Sequence, residues 1–376
     1  MSSRSYGALP HQDLIQFIKS GFICGADDVE ANDVSPASLD LRLSDEAYRV
    51  HSVTMPNEKE CIVDLLTYME AQKHDLSMPL RKGEHYLIRL QESLELPSEE
   101  YYGFCNPKSS TGRLDVHVRV ITDGVPRYDS VPSGYKGPLW LYVTPRTFGI
   151  RVRVGDTLAQ LRLFNGDTRL SRHDMITAFA EHHFAWTTNG TKLPYKQLRS
   201  FDKDGGLMLS LMLPKDGDVF GYRCIAAPDN VLDLSERNVD PTRYFVPEIV
   251  RNGAAHIVKD RFYILSSAEA IRIPPDFAAE MRAMDDRSGE FRSHYAGFLD
   301  PGWGWGSDGK AKGRPFTLEL RSFEQLVIRP GQPVAMIKYE RMLSPATLQY
   351  DDPMKGSHYT TQNRPQLAKQ FAPFPY

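Results

Sequence analysis

Residues 82–97 read KGEHYLIRLQESLELP, and residues 259–274 read KDRFYILSSAEAIRIP. The two stretches align without a gap, placing Tyr86 on Tyr263, Glu92 on Glu269 and Pro97 on Pro274. Each alternates apolar and polar side chains with the two-residue period of a half-buried strand. The flanks repeat as well. Downstream, FGIRVRVGDTLAQLRLF (148–164) parallels FEQLVIRPGQPVAMIKY (323–339), each a strand, a turn at Gly155 or Gly331, and a second strand. Upstream, HQDLIQFIKSG (11–21) parallels RHDMITAFAEH (172–182), with Asp13 and Asp174 expected as helix N-caps before apolar residues at helical spacing. SLDLRLSDEAYRV (38–50) and GLMLSLMLPKDGD (206–218) each predict a strand followed by a turn. The alternative, two unrelated β domains alike only in composition, does not explain one order of elements occurring twice.

The bulk properties agree. At about 150 residues per domain, the 376-residue chain has room for two units. Hydrophobic residues make up 41% and charged residues 25%, as in ordinary globular proteins. Net charge is −3 and pI about 6.4, so no polyanion-coating surface is expected and a phosphate would need a local site. No apolar run approaches the ~18 residues of a membrane span, and the first residues, MSSRSYGALPHQD, lack the apolar centre of a signal peptide. The cysteines Cys24, Cys61, Cys105 and Cys224 are scattered, as expected of free thiols in a reducing cytoplasm.

Two segments carry chemistry. CNPKSSTGRLDV (105–116) gathers small hydroxyls, a glycine, Lys108 and Arg113 after a strand ending near Phe104. Backbone N–H groups and hydroxyls there could cradle phosphate oxygens while the cations neutralise charge. A plain Ser-Ser-Thr-Gly turn between strands would read the same, and the Walker order is missing. In the second unit YAGFLDPGWGWG (295–306) carries the turn signature Asp300-Pro301-Gly302 and is followed by GRPFTLELRS (313–322), a pattern predicting a wide hairpin. Glu319, between Leu318 and Leu320, points opposite to those leucines by strand alternation. It is either a general base beside a cleft or a solvated glutamate on a polar face. LWLYVT (139–144), the corresponding stretch of the first unit, has no carboxylate.

In this order the segments resemble the dCTP deaminase branch of the dUTPase-like superfamily. Ser38-Leu39-Asp40-Leu41-Arg42-Leu43 matches the family's SLDLRL strand, and Lys108-Ser109-Ser110-Thr111-Gly112-Arg113-Leu114 its RSSLGRL loop, with Lys for the first Arg. Ala296-Gly297-Phe298-Leu299-Asp300-Pro301-Gly302-Trp303 matches AGFIDPGW, and Leu318-Glu319-Leu320 the LEL strand. Gly155 with Ala159-Gln160-Leu161-Arg162-Leu163-Phe164 matches the PG and AQLxF signals. Tyr350 and His358-Tyr359-Thr360-Thr361-Gln362 resemble the tail, with His for Lys and one extra residue between the tyrosines.

The resemblance implies a mainly β fold: two tandem dUTPase-like β-barrel (β-clip) units with short peripheral helices, unit one over 1–168, unit two over 169–345, and a tail over 346–376 closing the site. It implies zinc-independent hydrolysis of dCTP to dUTP and ammonia. Glu319 would be the base, Arg113 would hold the water or pyrimidine edge, and Ser109 would place the water. Lys108 and Ser110 would hold phosphate, backbone groups of Ala296, Gly297, Phe298 and Leu299 would read the base, and Asp300 would order the hairpin. Trp303 would pack on the nucleotide or partner unit, while Tyr359 and Gln362 would close over the phosphates as a mobile tail. Mg²⁺ would arrive bound to the triphosphate; the H-x-E…P-C-x-x-C signature of zinc deaminases is missing, and His182-His183 has no cysteine at the right spacing.

Family members carry one copy, form homotrimers and build each site between subunits. Here the good loop lies in unit one and the good carboxylate strand in unit two, which predicts one composite site. Unit two's own MDDRSGEFR (284–292) sets Asp285 and Asp286 against a triphosphate, although Arg287-Ser288-Gly289 resembles a dUTPase loop and leaves a second site open. The rival readings are a dUTP diphosphatase or bifunctional enzyme, with Asp300 orienting water at the α-phosphate, and a non-catalytic nucleotide-binding module. A cytoplasmic homo-oligomer regulated by dTTP is expected, with no nucleic-acid polymer or membrane as partner.

Overall fold

The computed structural model describes the chain apart from residues 1–5, 31–33, 203, 228, 283, 285–290, 293–296, 354–358, 360–361 and 376, and gives residues 291–292 as backbone only. The architecture is mainly β, and the larger sheet is nearly closed into a barrel. In Leu39–Val50 alternate residues are buried, so Leu39, Leu41 and Leu43 face the first core while Asp40 and Arg42 turn the other way. This strand pairs with His85–Glu95 on one side and Thr157–Asn165 on the other. Lys136–Pro145, Val116–Thr122 and Tyr101–Pro107 complete the wall.

The pairing registers repeat one unit later. Ile23 lies opposite Leu94, and Ala185 opposite Ile271; Tyr86 lies opposite Val143, and Tyr263 opposite Leu320. Because Tyr86 corresponds to Tyr263, the residue of unit one in the place of Glu319 is Tyr142. The second copy is more broken: Leu207–Ser210, Pro333–Arg341, Phe277–Arg282 and Phe298–Leu299 form one sheet, while Val219–Cys224, Phe262–Ser266 and Thr317–Ser322 belong to another.

Two expectations change. The helix caps are Pro10 and Ser171, not the aspartates. Asp174 stands in the first turn, where its carboxylate accepts the Ser171 N–H at 2.9 Å and its own N–H donates to the Ser171 hydroxyl at 3.3 Å, a capping box. The Asp300 turn does not close a hairpin. Phe298–Leu299 pairs with Phe277–Arg282 and Thr317–Ser322 pairs with Phe262–Ser266, so residues 300–316 cross between sheets. Gly302, at φ +91°, redirects the chain. The crossing is clamped by Arg272, whose guanidinium lies 4.7 Å from the Trp186 ring and 4.3 Å from the Trp305 ring and donates to the Gly309 carbonyl at 2.8 Å.

The units share interior. Tyr244, Phe245 and Phe371 pack in the same apolar cluster as Phe148 and Val152 of unit one, each large side chain contributing about 2–3 kcal/mol of burial. Gly149–Arg151 pairs in parallel with Val231–Asp233. Arg162, fully buried, joins both halves. Its five N–H donors meet Ala37 O at 3.2 Å, Ala279 O at 3.1 Å, Glu340 Oε2 at 3.2 Å, Leu299 O at 3.4 Å and Asp300 Oδ1 at 3.0 Å. Replacing Arg162 by Leu strands two buried carboxylates. The expected cost is about 3–5 kcal/mol, read as a fall in urea midpoint at constant slope.

Candidate active site

The serine loop follows the strand Tyr101–Pro107 and forms one helical turn, Ser109–Gly112, before Val116–Thr122. Arg113 closes that turn through its own N–H to Ser109 O at 3.1 Å, and its side chain runs inward until only 2% of the residue is exposed. Glu319 is equally buried at 2%, its strand neighbours Leu318 and Leu320 lying in the second core. It is therefore no solvated surface glutamate. Arg113 Nε and Glu319 Oε1 are 4.0 Å apart. Loop and carboxylate, separated by some two hundred positions, thus meet within a single chain.

The guanidinium of Arg113 is otherwise dressed by the tail. It donates to Gln362 Oε1 at 2.9 Å and to Gln366 O at 3.0 Å, and lies 3.7 Å from the centre of the Tyr359 ring. Gln362 in turn donates to Pro315 O at 2.9 Å. Tyr359 and Gln362 are thereby packed residues, 5% and 3% exposed, that buttress Arg113 rather than forming a loose flap. Gln362 does not line the cavity; Tyr359 does. His358, Thr360 and Thr361 lie outside the described residues.

The cavity between the units measures about 250 Å³. Of the expected residues Lys108, Ser109, Ser110, Arg113, Gly297, Phe298, Leu299, Asp300, Trp303, Glu319 and Tyr359 line it. Ala296 and the Arg287-Ser288-Gly289 loop lie outside the described residues. Three assignments shift. Lys108 is ion-paired with Asp40 and donates to Thr157 Oγ1 at 2.6 Å, so its charge is already balanced by the SLDLRL strand. Asp300 orders its turn by accepting from Arg162, an inter-unit contact. The backbone groups that this stretch leaves open narrow to those of Phe298. The Gly297 carbonyl accepts Met281 N–H at 2.5 Å and the Leu299 carbonyl accepts from Arg162, so ladder alternation turns the N–H and C=O of Phe298 to the open side of this edge strand. A Cβ on Gly297 would lie 2.9 Å from Asn106 Nδ2, so a larger residue there would require the Asn106 side chain of unit one to move.

An aromatic wall completes the cavity. Trp303 stacks on Phe316 at 5.3 Å and leans on Tyr350 at 4.9 Å, with burial holding the Tyr350 hydroxyl well above its usual pKa. Asp40, Gln160, Phe316, Thr317 and Lys369 also line it and were not singled out in the sequence. Thr317 was accessible by alternation, two residues from Glu319 on the same face, and Gln160 by its position opposite Asp40. Nothing in the local sequence marks Lys369. Among the described residues, no group of three or more His, Cys, Asp or Glu side chains is placed to hold a metal ion.

In unit one the corresponding position is closed. The Tyr142 hydroxyl donates to Thr54 O at 2.8 Å and accepts from Thr54 N–H at 3.2 Å, and its ring packs with Ile62, Leu65 and Met69. Segment 51–71 thus covers the face on which unit two carries its carboxylate.

Comparison with known proteins agrees with this geometry. Residues 5–167 match the model of the 2'-deoxycytidine 5'-triphosphate deaminase N-terminal domain, and residues 186–371 that of its C-terminal domain. A "dCTP deaminase, dUMP-forming" of Methanobrevibacter smithii is 30% identical over 35% of this chain and 65% of its own length. The same-named protein of Methanothermobacter thermautotrophicus is 31% identical over 40% of this chain and 72% of its own. This chain therefore spans about two thirds of those relatives' lengths. The crystal structure of the 2'-deoxycytidine 5'-triphosphate deaminase from Agrobacterium tumefaciens superposes with a TM-score of 0.80 at 34% identity, covering 90% of this chain and all of that one. With both domain models matched in order and a solved relative covered end to end, the chain belongs to the dCTP deaminase family.

Proposed function

We propose that the chain hydrolyses dCTP to dUTP and ammonia at the cavity between its two units. The observation that carries this reading is the meeting of Arg113 and Glu319, at 4.0 Å, beside an edge strand that offers one backbone donor and one acceptor. Such a pair matches the edge of a pyrimidine. Glu319 takes a proton from water as the oxygen bonds to C4, and N3 gains that proton. The carboxylate then relays the hydroxyl proton to the amino group, the C4–N bond breaks, ammonia leaves and a carbonyl remains. Arg113 holds the water and the developing charge, Ser109 places the water, and Ser110 with the backbone of the turn receives phosphate. Trp303 and Tyr359 enclose the nucleotide, excluding bulk water. Mg²⁺ comes with the triphosphate.

The two curated relatives are named dUMP-forming. Release of pyrophosphate needs a carboxylate to orient water at the α-phosphate. In this chain the Asp300 carboxylate is bound to Arg162 and that of Asp40 to Lys108. We therefore propose dUTP as the product, and product chromatography separates it from dUMP.

The same reading assigns unit one to 1–168, unit two to 169–345 and the closing tail to 346–376. The cytoplasm is supported by four free cysteines, and no described helix is long and apolar enough to cross a membrane. Homo-oligomer formation and regulation by dTTP rest on the family resemblance.

Two measurements test the reading. Glu319→Gln keeps the shape of the side chain and removes the proton acceptor. Ammonia release from dCTP is expected to fall at least ~10²-fold while dCTP binding persists, and unchanged turnover removes Glu319 from the base role. Because Tyr142 and segment 51–71 occupy the other copy, calorimetric titration with dCTP in the Glu319→Gln protein is expected to saturate at one nucleotide per chain. Two equivalents would show that the covered face opens.

A further inference from the structure

Arg113, Glu319, Phe298, Lys108, Asp40 and Lys369 all line one cavity. Arg113 is engaged by Gln362, the Gln366 carbonyl and the Tyr359 ring, and Lys108 by Asp40. A triphosphate carries more charge than the remaining hydroxyls can balance.

The far segment of the tail supplies a further cation. Residues 370–372 run beside the unit-two segment around Val239, with a parallel bridge between Val239 and Phe371, Val239 N–H donating to Gln370 O at 2.9 Å and Ala372 N–H to Val239 O at 2.9 Å. Two residues earlier on each line stand Arg237 and Lys369. The bridge brings the two segments together, so that Arg237 lies near enough to Lys369 to act on its charge, and Lys369 itself lines the cavity. Asp40 and Asp156 are the nearby acids. Burial is the first cause that lowers the Lys369 pKa; the neighbouring Lys108 and Arg237 add to it, and Asp40 and Asp156 oppose it. The backbone N–H of Lys369 lies against the Tyr359 hydroxyl, so the segment that carries the lysine packs beside the ring that covers Arg113.

We propose that Lys369, with Arg237 beside it, binds the outer phosphates of the nucleotide, and that this contact selects a triphosphate over a monophosphate. The proposal rests on the dCTP reading for the identity of the base and on the cation cluster for the phosphates. An anion held by Lys369 and the serine turn anchors the loop and the tail to one another. The tail also carries Gln362, Tyr359 and the Gln366 carbonyl, so phosphate recognition holds the groups that position Arg113.

The test uses the full chain with Lys369→Met and Lys369→Arg. Lys369→Met is expected to raise KM for dCTP about tenfold or more, the scale of one charge-assisted contact, with kcat within about threefold and kcat/KM for dCMP little changed. Lys369→Arg is expected to restore most of the loss. Titration with inorganic tripolyphosphate, followed by calorimetry at low salt, is expected to show binding to the natural protein and at least tenfold weaker binding to Lys369→Met. Unchanged KM and unchanged tripolyphosphate affinity in Lys369→Met overturn the assignment and leave the deaminase reading standing. Equal losses on dCTP and dCMP with a lowered Tm also overturn it, since Lys369 would then be structural. Tripolyphosphate binding that depends on Lys369, in a protein that turns over no cytosine nucleotide, upholds the phosphate site and sinks the deaminase reading instead.

Discussion

The guanidinium of Arg162 is the constraint on which the rest of the molecule depends. A charge without solvent contact costs several kcal/mol unless every donor is satisfied, and here all five donors reach acceptors on four separate segments. Its two carboxylate partners and two of its three carbonyl partners belong to unit two. The contact fixes Asp300 and Leu299 against unit one, and with them the edge strand that faces the serine loop. A second brace works near the loop itself: buried Asp115, at φ +56°, accepts from Arg321 and from Thr147. Arg321 lies two residues beyond Glu319 on the same strand face. The two braces locate loop and carboxylate from either side.

That placement explains why the two copies diverged in opposite directions. A site built at one junction needs a loop from one unit and a carboxylate strand from the other. The unused partner positions are then available for packing. At the unused strand position stands Tyr142, whose hydroxyl holds Thr54 while its ring seats segment 51–71. Segment 225–249 and the tail, for their part, extend the first core with Tyr244, Phe245 and Phe371. The complementary pattern is therefore a division of labour across one interface rather than general decay.

The parts legible in the sequence were those carried by local periodicity or compact motifs. Strand alternation identified the repeat, the outward turn of Glu319 and the strands around Asp40, and glycine marked the turns at Gly155 and Gly331, both at positive φ. The composite site followed from which motif survived in which copy. Illegible were the features decided by tertiary partners. Asp300-Pro301-Gly302 reads as a hairpin turn, but sheet membership depends on pairing with Phe277–Arg282, far away in sequence. Asp13 reads as a cap because Pro10 declares itself only through backbone geometry, whereas Ser171 three residues before Asp174 already carried the capping-box spacing in the sequence. Lys108 reads as a phosphate cation, and only the fold reveals Asp40 beside it. Lys369 has no motif at all, since a parallel bridge to Val239 brings it to the cavity.

The spacing of Arg113 and Glu319 bears on the proposed chemistry. Opposite charges about 4 Å apart attract by ~4 kcal/mol at an effective dielectric constant near 20, which holds the carboxylate strand of unit two toward the serine loop of unit one. Yet 4.0 Å exceeds hydrogen-bond length, so the attraction is gained without an arginine hydrogen bond that would compete with water for the same oxygen. The remaining contacts of the guanidinium come from the tail: Gln362, the Gln366 carbonyl and the Tyr359 ring. The tail thus helps to fix where Arg113 stands relative to Glu319.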